Sequence, residues 1–131
     1  MNFESLYANP AGRTSRGAFV PALVILILVA AFYQFVARSG RNGEWVLVTL
    51  LFPSFMLHAR RLHDMGRTAW LLLVPGVAIG VEVWLHMIAI SLDVQPWLDL
   101  LALIVAAAFM LWGLVGKGQA EANRFGEPVG A

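Results

Sequence analysis

The sequence predicts an all-α polytopic membrane protein, a compact bundle of four transmembrane helices with both termini cytoplasmic, and three observations lead there. Sixty per cent of its 131 residues are hydrophobic and the mean hydropathy is +0.74, where a soluble domain carries about 45–50% apolar residues. A soluble fold of this length has too little interior for so much apolar side chain. Four apolar runs follow one another without the period-2 alternation of strands, and only helices or closed barrels satisfy backbone groups in lipid. Finally, the Lys and Arg residues divide unequally between the two sides of a four-span arrangement.

The chain reads as a single membrane domain, 1–131. Its start, "MNFESLYANPAGRTSRGAF", places two arginines before an apolar run as a secretory signal does. That run, 19–37, exceeds the usual signal core of about 7–15 residues, and Ala37-Arg38-Ser39 is a poor cleavage site. It is expected to stay as the first span, with Pro21 near its start. The second span, about 43–62, contains Pro53, and the third, about 70–90, contains Pro75-Gly76. Both prolines are expected to bend or break their helices. The fourth span is 97–115, and 116–131 forms a short cytoplasmic tail.

Orientation follows from the bases. Arg13, Arg16, Arg60, Arg61, Arg67, Lys117 and Arg124 share one side of this arrangement, and only Arg38 and Arg41 lie on the other. The positive-inside rule puts the richer side in the cytoplasm. Trp45 and Trp97 then fall near outer span ends and Trp70 and Trp112 near inner ones, as interfacial belts require; Trp84 fits only loosely. The chain has no cysteine, which excludes disulfides, thiolate catalysis and Cys-ligated zinc.

The densest charge is "RRLHDMGRTAW", residues 60–70. If the second helix continues through Asp64, Arg60 is its i,i+4 neighbour and Arg61 its i,i+3 neighbour, so both arginines can bracket the carboxylate. Arginines here also meet the negative end of the helix dipole, and Gly66 is placed to end the helix.

These residues also carry a resemblance. "GRTSRGAF" before the first span, "RRLHDMGRTAW" between the second and third, and "NRFGEP" in the tail together resemble the bacterial inner-membrane family called domain of unknown function 805, the YhaH-like proteins. The resemblance covers nearly the whole chain, and Arg-Arg-x-His-Asp-x-Gly is its most specific part. The family pattern falls on Gly12, Arg13, Arg16, Phe19, Arg60, Arg61, His63, Asp64, Gly66, Trp70, Asn123, Arg124 and Gly126. Two departures stand out: Thr68-Ala69 before the tryptophan, and "QAEAN" where the family has another glycine ahead of the asparagine. The resemblance implies a fold and a bacterial inner-membrane address, multi-pass with N-in and C-in ends, but no activity.

All three elements lie on the cytoplasmic side. Arg13, Arg16, Arg60, Arg61, Arg67 and Arg124, with His63, Asp64 and Asn123, are therefore expected to form one polar cluster. Arginine suits planar contact with phosphate, and the nearest abundant phosphates belong to membrane lipids. One reading is a binding face for an anionic phospholipid headgroup or a partner protein. The other is a structural clasp, with Asp64 tying the second helix to the N-terminal segment. His58, His63 and Asp64 hint at a metal centre, but no further His or Asp ligand falls on that side, so no metal, cofactor or catalytic residue is expected there. Enzyme action is disfavoured, not excluded.

Glu82 and His86 stand i,i+4 inside the third apolar run, and Glu82 lies past the membrane centre. Ionisable groups at such depth cost about 2.5–3.5 kcal/mol on insertion scales and mark functional candidates. The pair can serve a proton-coupled or small-solute transporter, or the two can satisfy each other. Gly76-x-x-x-Gly80 beside them is compatible with close packing in a homo-oligomer or with a partner membrane protein. The leading expectation is a non-enzymatic membrane protein acting through the Arg/His/Asp face, with no nucleic-acid partner; transport through Glu82 and His86 is the alternative.

Overall fold

The computed structural model describes residues 6–37, 43–88 and 93–129, and among these it contains helices and no strand. Four α-helices follow in order: α1, Arg16–Phe32; α2, Gly43–Asp64; α3, Leu73–Met87; and α4, Gln95–Val115. Among the described residues, three stretches are long and apolar enough to cross a membrane: Arg16–Val36, Ala69–Met87 and Gln95–Val115. Arg38, Arg41, Ile90 and the side chain of Trp45, all named above, lie outside the described residues.

Ser15 starts α1, its hydroxyl accepting from the Ala18 amide at 3.4 Å. Pro21 lies inside α1 and has no N–H to give one turn back. The helix then loosens into a π-helical stretch, Tyr33–Ala37. The expected break at Pro53 is absent: α2 runs unbroken through it to Asp64. Pro75 does not break its helix either. A 3-10 turn, Ala69–Leu72, leads into Leu73, so Pro75 falls in the first turn of α3, where its N–H would have no intrahelical partner anyway. Gly66 ends α2 with φ +74°, a left-handed conformation that side chains other than glycine's adopt at a cost.

Packing is concentrated at one end of the bundle. Phe19, Ala22 and Leu23 of α1 meet Leu57 of α2, with Met110 and Leu114 of α4 against them. Tyr7, from the N-terminal segment, seals this cluster and donates its hydroxyl to the Ala22 carbonyl at 2.9 Å. Away from this cluster, the helices carry apolar side chains outward: Leu28, Phe35, Val77 and Leu103 are all exposed. Such a surface is what a hydrocarbon solvent accommodates and water does not. Trp70 and Trp97 project from opposite ends of the bundle.

Candidate functional site

The polar residues of the sequence motif gather at the packed end, where α2 finishes, α4 finishes and the N-terminal segment enters α1. At the centre is Asp64, 4% exposed. Its Oδ1 accepts from Arg13 Nε at 3.0 Å and its Oδ2 from Arg61 Nη1 at 2.7 Å. The expected bracket of Arg60 and Arg61 is therefore half replaced. Arg61 is the local partner, but the second arginine comes from 51 residues upstream.

Arg60 turns the other way, onto the N-terminal segment. It donates Nε to Thr14 Oγ1 at 3.0 Å, and its two Nη groups to the carbonyls of Ala11 and Arg13. His63 Nδ1 faces the Gly12 carbonyl at 3.0 Å, and Arg61 Nη1 reaches the Thr14 carbonyl at 3.3 Å. Four successive carbonyls, Ala11 to Thr14, are thus each taken by a side chain of the Arg60–His63 stretch. Buried carbonyls need such partners, and an extended segment beside a helix has no neighbouring strand to supply them.

Arginine also closes the end of α4. The last carbonyls of a helix have no intrahelical donor. Arg61 Nε donates to Gly113 O at 2.8 Å and Nη2 to Gly116 O at 2.6 Å. Arg16 Nη2 donates to Val115 O and Gly116 O, both at 3.0 Å. These cations sit at the negative pole of the helix dipole, where charge is favoured.

The tail folds back over the same point. Arg13 donates to the carbonyls of Gln119, Glu121 and Gly126, and the Gln119 amide donates to Asp64 O at 2.7 Å. Asn123 Nδ2 gives one bond to His63 O at 3.0 Å and one to Gln119 Oε1 at 2.7 Å. His63 and Phe125 stack with centroids 3.9 Å apart and planes 8° off parallel, and the Arg124 guanidinium lies 4.7 Å from that ring's centroid. Burial pushes the His63 imidazole below its ordinary pKa; the Gly12 hydrogen bond opposes this, and the nearby cations Arg124 and Arg60 add to it.

The sequence-predicted residues therefore divide. Arg13, Arg61, His63 and Asp64 are buried, Arg60 and Asn123 half-buried, and all six bond to protein groups within the assembly. Arg16, Arg67 and Arg124 are exposed, as is Lys117. Thr14, Gln119, Gly118 and Phe125 were not singled out from sequence, and they act mainly through main-chain and packing contacts that residue type does not signal. His58, although 8% exposed, takes no part: its Nδ1 donates to Ser54 O at 2.8 Å and its ring meets Phe19 edge-on.

Beside the cluster an apolar groove of about 690 Å³ runs between α2 and α3. Phe55, Met56, Ala59 and Leu73 line its length, and His63, Trp70 and Phe125 stand at its polar end. Glu82 and His86 are remote from all this. They pair at 2.9 Å near the far end of α3.

A family model described as "Protein of unknown function (DUF805)" matches residues 7–127. No curated protein and no solved structure matches the chain.

Proposed function

The chain belongs to the DUF805 family of proteins of unknown function, and on that premise we propose that it is a non-enzymatic integral membrane protein that binds an anionic lipid at its cytoplasmic end. In this reading all four helices cross the bacterial inner membrane, and both chain ends face the cytoplasm. The observation that carries it is the groove between α2 and α3. Its walls are apolar along Phe55, Met56 and Leu73, as an acyl chain needs, and arginines flank the residues that line its polar end. Arg124 is exposed there on Phe125, Arg60 lies close to His63, and Arg67 directly precedes the lining residue Thr68. Trp70 stands at the same level, the depth tryptophan prefers in a bilayer.

The binding role falls to the exposed bases, since Arg13 and Arg61 are spent on Asp64 and on main-chain carbonyls. Each base beside an anionic surface contributes about 1 kcal/mol, and a groove that seats the chain adds apolar contact. The test is thermal unfolding of the purified protein in mixed micelles containing phosphatidylglycerol or phosphatidylcholine. Phosphatidylglycerol should stabilise the wild type more, and Arg124→Ala with Met56→Trp should erase the difference. Equal stabilisation by both lipids would refute headgroup recognition and turn attention to a protein partner.

A further inference from the structure

At the end of the bundle away from the motif, α3 and α4 bring three ionisable side chains together. Glu82 and His86 stand one turn apart on α3, and Asp99 joins them from α4. One ligating atom of each lies within 4.8 Å of the other two. His86 Nδ1 is 2.9 Å from Glu82 Oε1 and 3.0 Å from the Glu82 main-chain carbonyl, and the Gln95 amide nitrogen stands 3.4 Å from both ring nitrogens. Asp99 is four residues into α4 and Glu82 five residues before the end of α3, which places them about 6–8 Å inside the helix ends. Glu82 is half-buried, and His86 and Asp99 are exposed. The cluster is therefore open on its outer surface, near the helix ends.

Two carboxylates this close repel when both are ionised, and one imidazole offsets at most one of them. A divalent cation offsets both. The donors differ from an ordinary acidic patch because an imidazole nitrogen stands among the oxygens. One nitrogen with two carboxylate oxygens is a set that zinc-class ions accept, with a fourth position left for water. Calcium and magnesium ask for about six or more oxygens, which these residues do not supply. We propose that Glu82, His86 and Asp99 form a binding site for one divalent transition cation of the zinc class, clipping α3 to α4 at the outer end of the bundle. Ligand atoms about 2.0–2.1 Å from a tetrahedral ion stand roughly 3.3 Å from one another. The ligating atoms stand within 4.8 Å of one another without an ion and would draw together to that spacing on binding. This inference is independent of lipid binding at the opposite end.

The test uses the full chain, purified in detergent and stripped of metal, with Co²⁺ and Zn²⁺ alone as probes. One equivalent of Co²⁺ per chain should give the visible absorption of a tetrahedral or five-coordinate site, and Zn²⁺ should bleach it. Zn²⁺ should also raise the unfolding temperature of the wild type. Asp99→Asn and Glu82→Gln keep side-chain shape and should weaken binding about tenfold or more, with loss of the thermal shift. His86→Ala should abolish the Co²⁺ spectrum, and if that variant fails to fold, the two isosteric variants decide. Absence of saturable binding would overturn the site. So would Co²⁺ binding that survives Asp99→Asn unchanged, or displacement by Mg²⁺ as readily as by Zn²⁺; each would leave the cluster an ion pair that shares protons.

Discussion

Arg13 and Arg61 lie 48 positions apart and hold the same carboxylate, one on each oxygen of Asp64, with both guanidinium side chains 1% exposed. Their remaining donors go to carbonyls of three segments: Thr14 at the N-terminal side, Gly113 and Gly116 at the end of α4, and Gln119 and Glu121 in the tail. The arrangement works as a clasp. A charge that deep is tolerable only because its partners and hydrogen bonds replace the water it lost.

Removing the shared carboxylate should therefore be severe. Asp64→Ala leaves two buried guanidinium groups without their counter-ion, a situation that costs roughly 3–5 kcal/mol. Expression and thermal unfolding in detergent will show it, with Arg67→Ala as the exposed control expected to stay near wild type.

Gly118 and Gly80 should respond in opposite directions to the same change. A Cβ on Gly118 would collide with Oδ2 of the Asp64 carboxylate, a group that two arginines hold in place, whereas a Cβ on Gly80 meets nothing within 4 Å. Gly118→Ala should destabilise by about 1–3 kcal/mol, and Gly80→Ala should be neutral or stabilise by about 0.5–1 kcal/mol through backbone entropy. Thermal unfolding of both variants measures this. A destabilised Gly80→Ala would mean that a second chain packs on that face.

Acid should loosen the tail. Burial holds the docked His63 below its ordinary 6.5, and Arg124, carried on the tail itself, lowers it further. At neutral pH both docked and undocked imidazoles are uncharged, so docking loses nothing. As pH falls through about 6.5 the undocked imidazole takes up a proton that the docked one resists, and docking weakens until the docked group also protonates. Limited proteolysis of the tail at pH 7.5 and 5.5 should show faster cleavage in acid, and His63→Gln should flatten that dependence.

Much of this architecture was legible beforehand. The apolar runs located four helices, because hydrophobic length is written locally, and Gly66 marked the end of α2. Arg61 beside Asp64 followed from helical spacing alone. What spacing could not show was that Arg60 would leave Asp64 for the carbonyls of Ala11 and Arg13 while Arg13 took its place. That exchange depends on where the N-terminal segment crosses α2, a long-range fact. The tail was equally opaque. Its attachment runs largely through the main chain of residues 119–126, with side chains of Gln119, Asn123, Arg124 and Phe125 adding to it. Nothing in the local sequence around Asp99 ties it to Glu82 and His86; the packing of α3 on α4 sets the three together.

The central claim is a division of labour: the buried Arg13 and Arg61 hold the fold, and the exposed Arg67 and Arg124 hold lipid. Native mass spectrometry of the gently solubilised protein tests it most directly, comparing wild type, Arg61→Ala and the double variant Arg67→Ala/Arg124→Ala. The predicted result is a discrete anionic lipid on the wild type, a folded double variant that has lost it, and an Arg61→Ala protein that is mostly unfolded. A double variant that keeps the lipid, or a folded Arg61→Ala protein that loses it, would contradict the division.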